Sequence, residues 1–398
     1  MEITYTILLS AFLIALLMGA AANKTNFCTM GAISDWVNMN NGGRLGAWFF
    51  AIAIAVIGLT LLESFALINT NEAIPPYRTP QFSWLRYVLG GMFFGIGMTL
   101  ASGCGNKTLV NIGGGSLKSL MVLMMIGLTS YSMTKTSFYE LTFYPLISAT
   151  TVDLTTLGIP HQSLHHLIGA DNDCTSRWVI GLTLGLILLL MALRFKHFRT
   201  HWKNPLGGAA VGLAVVAGWW ISGGPLGQEW VSTVEWMDVR PAAVGVQSYT
   251  FINPMGDAVA WLNSPAQLQL VTFGIVALFG IISGSFIAAV LSKKFQLTWF
   301  KDKTDFIKHV IGAILMGIGG ILAMGCTIGQ AITGISTLSI GSIMVFASIV
   351  FGATLTMKIQ YYQMFYEDED DSGFGAILLS VLADMNCLPN RMRKLDQP

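Results

Sequence analysis

Long apolar segments alternate with short polar ones along almost the whole chain. Most are close to the length that a helix needs to cross a bilayer, and few charges interrupt them. The pattern predicts nine membrane-spanning helices, over Ile3–Ala22, Gly46–Ile68, Trp84–Gly103, Ser116–Thr134, Trp178–Arg194, Leu206–Ile221, Leu268–Ser292, Val310–Gly325 and Ile340–Met357. The first begins after Glu2 and lacks the positive start of a cleaved signal peptide, so we expect a retained helix.

The composition agrees with this pattern. Hydrophobic residues make up 53% of the chain and charged residues only 11%, which is far from the composition of a soluble globular protein. The net charge of +1 gives no reason to expect nucleic acid as a partner. We therefore predict an all-α polytopic membrane protein whose main partner is the lipid bilayer.

Basic residues near the span ends predict the orientation, because cytoplasmic loops are enriched in Lys and Arg. One loop carries Arg194, Lys196, Arg199 and Lys203, and another carries Lys293, Lys294, Lys301, Lys303 and Lys308. The segment 222–267 instead carries Glu229, Glu235, Asp238 and Asp257 against Arg240 alone. With both basic loops in the cytoplasm, the N-terminus lies outside and the C-terminus inside.

Cys104 and Cys326 lie at the ends of two closely similar stretches, GIGMTLASGCG (95–105) and GIGGILAMGCT (317–327). Superposing the cysteines also superposes Gly95 and Gly97 on Gly317 and Gly319, Leu100 on Leu322, Ala101 on Ala323, and Gly103 on Gly325. The stretches end the third and the eighth predicted spans, and an odd offset reverses direction. The sequence therefore predicts an inverted internal repeat, an arrangement typical of transporters.

Both stretches continue into polar, glycine-rich segments, 103–115 and 325–334, at membrane depth. Irregular backbone is tolerated there only inside protein or along a water-filled cavity, so we predict broken, re-entrant helices. The expected organisation is a first repeat half over 1–134, an extracytoplasmic loop over 135–177, a second half over 178–358 that includes an extracytoplasmic loop over 222–267, and a cytoplasmic tail over 359–398. The two long loops are expected to form caps with short helices.

The cysteines are the main candidates for chemistry. Cys28, Cys104, Cys174, Cys326 and Cys387 are an odd number at wide spacings, which argues against a disulfide framework or a zinc site. Packing alone explains a single buried cysteine in an apolar helix. Thiols at two equivalent breaks favour a function, because packing needs no thiol at both points.

Lys107 is a further candidate, three residues after Cys104. An ammonium group at a membrane break is unfavourable and marks a substrate path by default, and a positive group suits an anion. The alternative is that its long side chain reaches the interface. Cys28 follows the first span in a polar loop with Lys24 and Asn26, which is either a thiol site or a plain cytoplasmic turn.

Three histidines, His161, His165 and His166, raise the question of a metal site in the first long loop. The spacing of His161 and His165 would place them on one face of a helix. Pro160 and the composition around it favour a solvated loop instead. We therefore expect these histidines to face solvent.

Taken together, these residues resemble the YeeE/YedE family of membrane transporters for thiosulfate and related sulfur compounds. The matching stretches are Asn26-Phe27-Cys28, residues 95–105, the run Gly284-Ser285-Phe286-Ile287-Ala288-Ala289 with Lys293 and Phe295, and residues 317–329. They are spread over most of the chain as far as about residue 357.

The resemblance implies an hourglass-shaped inner-membrane protein. Thiosulfate, or a related small sulfur anion, would pass its narrow centre by transient hydrogen bonds to cysteine thiols. That role falls on Cys104 and Cys326, with Cys28 near the cytoplasmic exit. The other expected pathway residues are Lys107, Gly103, Gly105, Gly325, Thr327 and Gln330. No cofactor is implied, and a small cytoplasmic sulfur-carrier protein would be a partner.

The chain departs from the family pattern beside two cysteines. Thr25 and Asn26 replace an arginine and a glycine, and Ser-Gly-Cys-Gly-Asn-Lys stands around Cys104 in place of Gly-Gly-Cys-Ala-Thr-Gly. The substrate is therefore open to other sulfur or selenium oxyanions. Two other functions also stay open: a membrane sulfur-transfer enzyme with a persulfide-forming cysteine, for which His309 is a distant candidate base, and a small-anion channel with structural cysteines.

Overall fold

The computed structural model describes residues 2–167, 174–237, 239–366, 373–385, 387–389, 391 and 393–395. In chain order its first helices are α1 (Glu2–Thr25), α2 (Thr29–Met39), α3 (Gly43–Ser64), α4 (Trp84–Leu100), α5 (Gly105–Gly113), α6 (Leu117–Lys135), α7 (Phe138–Thr142), α8 (Tyr144–Ser148) and α9 (Leu164–Leu167). They are followed by α10 (Cys174–Arg194), α11 (Lys196–Thr200), α12 (Lys203–Gly223), α13 (Pro225–Glu235), α14 (Ile252–Leu262), α15 (Phe273–Leu291), α16 (Lys303–Leu322), α17 (Ile340–Phe365) and α18 (Phe374–Asp384).

Nine helical segments in the described part of the chain are long and apolar enough to cross a membrane. They coincide with the nine predicted spans, so the prediction of an all-α polytopic membrane protein is confirmed. The ends differ by a few residues for local reasons. For example, α4 ends before the predicted Gly103 because Ser102 has a left-handed backbone (φ 57°). Likewise, α15 begins after Thr272, whose hydroxyl accepts a hydrogen bond from the Ile275 N–H at 3.2 Å.

Helix packing in the first part of the chain recurs in the second. In the first part, α1 packs on α15 and α4 packs on α17. In the second part, the equivalent helices α12 and α16 pack on α3 and α6. The short helices follow the same rule: α2 contacts α3 and α17, and α14 contacts α15 and α6. This duplication of partners is what a repeat of the membrane part would produce. The opposite direction of its two halves stays a prediction.

The helices that lead to the two Gly-Cys breaks, α4 and α16, meet backbone to backbone. A Cβ atom added at Gly97 would lie 2.6 Å from the Gly312 carbonyl oxygen, and one added at Gly312 would lie 2.6 Å from the Gly97 carbonyl oxygen. Lipid is as apolar as the helix surfaces, so association in a bilayer relies on such close van der Waals contact. Glycine at both positions therefore fixes the crossing that brings the breaks together.

A buried ion pair joins α3 to the loop before α4. The Arg78 guanidinium donates two hydrogen bonds to the Glu63 carboxylate, at 2.7 and 2.9 Å, and a third to the Thr337 carbonyl at 2.9 Å. Thr70 donates to the same carboxylate at 2.6 Å. The Arg78 side chain is fully buried. The pair therefore holds the loop 65–83 against the segment that follows the Cys326 break.

We predict that Arg78→Met lowers the free energy of unfolding by about 3–5 kcal/mol, because the buried Glu63 carboxylate loses its two shortest charged hydrogen bonds and keeps, among the described residues, only the longer pair with Arg177 at 3.8 Å and the Thr70 hydroxyl. The measurement is thermal unfolding of the purified protein in detergent. Lys135→Met is the matched control, since the Lys135–Asp257 pair spans 3.6 Å and is partly exposed, and its loss should cost about 1 kcal/mol or less. Equal losses from both substitutions would contradict the account.

The first long loop is folded rather than open. It contains α7, α8 and α9, and its strand β2 (Thr151–Asp153) pairs antiparallel with β1 (Gln81–Ser83). The expectation that its histidines face solvent is wrong for His165, which is 2% exposed because α9 packs against α10 and its Leu164 N–H donates to the Leu338 carbonyl. Arg177 donates to His165 Nε2 at 3.4 Å. No group of three metal-ligating side chains occurs among the described residues.

Burial, and after it the nearby Arg177 guanidinium, lower the pKa of His165 to about 3. An unfolded histidine titrates near pH 6.5. Below that pH the unfolded state therefore binds a proton that the folded state does not, and stability falls as the pH drops. We predict that the unfolding temperature decreases less between about pH 7.5 and about pH 5 in His165→Gln than in the wild type. An equal decrease in both would exclude His165 as a contributor.

Candidate functional site

The chain breaks in the same way before three of its cysteines. The residue two positions before each cysteine has a left-handed backbone: Asn26 (φ 55°), Ser102 (φ 57°) and Met324 (φ 57°). The N–H of the residue after it donates a hydrogen bond to a carbonyl of the preceding helix. These bonds run from Phe27 to the Ala22 carbonyl (3.2 Å), from Gly103 to the Met98 carbonyl (2.8 Å) and from Gly325 to the Gly320 carbonyl (2.8 Å). This is a common way to end a helix. Cys28 thus belongs with the other two, although its sequence does not match theirs.

Each of these cysteines also begins the next helical segment. The carbonyl of Cys28 accepts from the Ala32 N–H at 3.0 Å, that of Cys104 from Thr108 at 2.9 Å, and that of Cys326 from Gln330 at 2.7 Å. The third segment is π-helical over Ile328–Gly334. Helices α2 and α5 therefore begin beside a thiol. The N-terminus of a helix carries unpaired N–H groups and a partial positive charge, which favours an anion.

The three sulfur atoms act as hydrogen-bond acceptors. Cys28 Sγ accepts from the Gly31 N–H at 3.4 Å, Cys104 Sγ from the Thr29 hydroxyl at 3.8 Å, and Cys326 Sγ from the Gly329 N–H at 3.4 Å. All three residues are buried. No acceptor for the S–H group of any of them occurs among the described residues. Each thiol can therefore donate to a ligand, and S–H is a weak donor.

The breaks lie side by side in the order Cys28, Cys104, Cys326. Thr29, directly after Cys28, contacts Cys104 through its hydroxyl. Gly105, directly after Cys104, faces Cys326, because a Cβ added at Gly105 would lie 4.0 Å from the Cys326 Cβ. We refer to Cys28, Cys104 and Cys326 together as the thiol row.

Lys107 connects the first two breaks. Its ammonium donates to the Asn26 side-chain oxygen at 2.6 Å, in the loop just before Cys28. Lys24 is placed differently from what its sequence position suggests: its ammonium lies 5.7 Å from the centre of the Trp202 ring. The second cation near Cys28 is Arg44, which lies over Gly31 and forms an ion pair with Asp35 at 2.6 Å.

A polar cavity opens beside the Cys28 end of the thiol row. Its volume is about 410 Å³, and its lining includes Asn26, Arg44, His197, His201 and Lys203. Asn26 is also the partner of Lys107, so the cavity adjoins the first break. Apart from the Asp35 carboxylate, which is paired with Arg44, its lining is rich in groups that carry positive charge or donate hydrogen bonds, which suits a small anion.

The remaining predicted pathway residues surround the second and third breaks. Gly103 packs on the stem of Lys107. Thr327 and Gln330 are buried, and the Gln330 amide donates to the Ala323 carbonyl at the end of α16. The loop residue Thr250, which was not predicted, lies beside Gly325, where an added Cβ would be 3.3 Å from the Thr250 hydroxyl oxygen.

Sequence reasoning missed Thr29 and Thr250. Thr29 follows Cys28 and could have been included as its neighbour. Thr250 precedes α14, within a segment expected to be an outside loop, yet Ile252 of that helix is fully buried. The Asn-Pro pair near the start of α14 was the available signal for a helix start there.

Comparison with known proteins identifies the family of the chain. A family model described as sulphur transport matches residues 24–355. The chain belongs to the sulphur transport family. The resemblance to YeeE/YedE proteins is thereby confirmed. Membership places the chain among multi-pass membrane transporters rather than enzymes.

Two curated relatives carry the name thiosulfate transporter TsuA. The one from Escherichia coli (strain K12) is 24% identical over 348 residues, which cover 82% of this chain and 87% of the relative. The one from Spirochaeta thermophila is 25% identical over 348 residues, covering 86% of this chain and 95% of the relative. These comparisons give no support to the expected sulfur-carrier partner.

Proposed function

We propose that this chain imports thiosulfate, or a closely related small sulfur anion, across a bacterial inner membrane. The observation that carries the proposal is the thiol row: three buried thiols side by side, each at the start of a helical segment and each without an acceptor among the described residues. The names of the two relatives support thiosulfate as the substrate.

The thiols would pass the anion along by short-lived hydrogen bonds. A buried anion needs donors, but a site that binds it too strongly would not release it. S–H is a weak donor, and a hydrogen bond accepted by the sulfur polarises the S–H group. Cys104 and Cys326 form the narrow centre of this pathway, and Cys28 lies near its cytoplasmic exit.

In this proposal the cationic side chains lie at the Cys28 end of the thiol row. Lys107 donates to the Asn26 side chain, which is neutral and does not offset its positive charge. Together with Arg44 and the polar cavity it would draw the anion away from Cys28. The carboxylate of Asp35, paired with Arg44, limits how tightly the anion is held there. Among the described residues, the cations that face the proposed path, Lys107 and Arg44, therefore lie toward its Cys28 end, where the ion leaves.

The orientation belongs to the same proposal. With α11 and the segment 293–308 in the cytoplasm, the N-terminus lies outside and the C-terminus inside. The polar cavity, which is lined by His197 and Lys203 from the basic loop, then faces the cytoplasm. Residues 1–134 and 178–358 act as the two inverted halves of an hourglass, with 135–177 and much of 222–267 outside and 359–398 as a cytoplasmic tail.

The two other functions differ from this one in what they require. A persulfide-forming enzyme needs a base beside the thiol, and no imidazole or carboxylate hydrogen-bonds to the thiol row in the described residues. His309 instead bonds to the Asp305 carbonyl at 2.8 Å. A channel with structural cysteines requires only that the cysteines pack.

We predict that the intact chain rescues growth on thiosulfate as sole sulfur source in bacteria that lack their own importers. Cys104→Ala and Cys326→Ala should abolish rescue at matched membrane expression, because each removes a thiol donor that no other side chain of the proposed path replaces. Cys387→Ala is the control, since this cysteine is exposed and distant from the breaks in the sequence.

The results of this growth experiment distinguish the transporter from the channel and from the enzyme. Failure of a folded, inserted wild type to support growth would reject thiosulfate as the substrate. Full rescue by both alanine variants would reject the thiol pathway and favour the channel with structural cysteines. Trapping of labelled sulfur on Cys104 or Cys326, detected by intact mass, would favour the enzyme.

A further inference from the structure

Three buried hydroxyl groups around the Cys326 turn and the segment that follows it have no hydrogen-bond partner among the described residues. They are the hydroxyls of Tyr77, Thr250 and Thr327, whose residues are 1%, 9% and 0% exposed. A buried polar group without a partner is unfavourable, and native proteins contain few of them. Three in one neighbourhood indicate that something other than the protein completes their hydrogen bonds.

Contacts on both sides of the break place Thr250. Its hydroxyl oxygen lies against Gly329, where an added Cβ would collide with it, and faces Gly325 as described above. The residue before it is fixed as well, since the Tyr249 carbonyl accepts from the Thr333 hydroxyl at 2.8 Å. The Thr250 side chain therefore lies across the turn, next to Gly325 before Cys326 and Gly329 after it.

Tyr77 approaches from the loop before α4. Its carbonyl accepts from the Ser339 hydroxyl at 2.7 Å, and its ring packs edge-on against Trp219 with the centroids 6.4 Å apart. Trp219 in turn donates to the Ser336 hydroxyl at 3.1 Å, so the Tyr77 ring lies against the segment 336–339 that follows the Cys326 turn. The third hydroxyl belongs to Thr327, the residue next to Cys326.

These donors complement the thiols chemically. Thiosulfate has a soft terminal sulfur at one end and three hard oxygen atoms at the other. Hydroxyl groups form shorter and stronger hydrogen bonds to oxygen than thiols do. A thiol flanked by hydroxyls can therefore receive both ends of the ion at once.

We infer that Tyr77, Thr250 and Thr327 form a subsite that binds the oxygen end of the sulfur anion while Cys326 donates to its terminal sulfur. The inference rests on the proposed transport of such an anion and adds the residues that orient it. Because these hydroxyls are neutral, the subsite orients the ion without the strong attraction that a cation would exert. It also gives each hydroxyl a partner only while the ion is present.

The test compares hydroxyls that have a partner with hydroxyls that do not. Tyr77→Phe and Thr250→Val remove unpaired hydroxyls with little change of shape. Thr250→Ser keeps the hydroxyl. Tyr249→Phe is the matched control, because its buried phenol already donates to the Ala11 carbonyl at 2.9 Å. Uptake of radiolabelled thiosulfate into proteoliposomes gives the half-saturating concentration, and thermal unfolding gives stability.

We expect Tyr77→Phe and Thr250→Val to raise the half-saturating thiosulfate concentration about tenfold each, with unfolding temperatures at or above that of the wild type. Thr250→Ser should transport nearly as the wild type does. Tyr249→Phe should lower the unfolding temperature and leave half-saturation unchanged, because it loses an existing hydrogen bond.

Two results would overturn the inference. If Tyr77→Phe and Thr250→Val leave half-saturation unchanged while the wild type transports thiosulfate, the subsite is wrong and the proposed function stands. If the wild type takes up no thiosulfate, the proposed function is wrong and the subsite is rejected with it.

Discussion

The structure depends on one constraint: backbone N–H and C=O groups inside a bilayer must find partners within the protein. The chain nevertheless breaks its helices before Cys28, Cys104 and Cys326. It ends one helix with a left-handed residue and starts the next at the cysteine, so backbone hydrogen bonds form on both sides of each break. A cysteine at this position places a small polar group, its thiol, inside the protein at the break. The function proposed above follows from that placement.

The surrounding packing makes these breaks possible. Glycine contact between α4 and α16 brings the second and third breaks together, and the Glu63–Arg78 pair fixes the loop beside the third. Both interactions are close and buried, and they hold in place the elements that carry the second and third thiols. The proposed passage by exchange of weak hydrogen bonds requires thiols that are held in this way.

The sequence predicted the spans and two of the three breaks, and physical reasons explain what it missed. Apolar length reveals a span, and the repeat paired Cys104 with Cys326. The equivalence of Cys28 lies in backbone geometry, which Asn-Phe-Cys and Ser-Gly-Cys share without sharing side chains. Thr250 lies beside the Cys326 turn through contacts that are distant along the chain, so no local pattern reports it. His165 appeared solvated because its loop is polar, but tertiary packing buries it.

The most direct test is a crystal structure of the protein grown with selenosulfate, in which selenium replaces the terminal sulfur of thiosulfate. Selenium has an anomalous signal that locates this one atom. The account predicts a peak within hydrogen-bonding distance of the Cys104 or Cys326 sulfur, with the oxygen end of the ion toward the hydroxyls of Tyr77 and Thr250. A protein that transports the ion but holds selenium only outside the thiol row would contradict it.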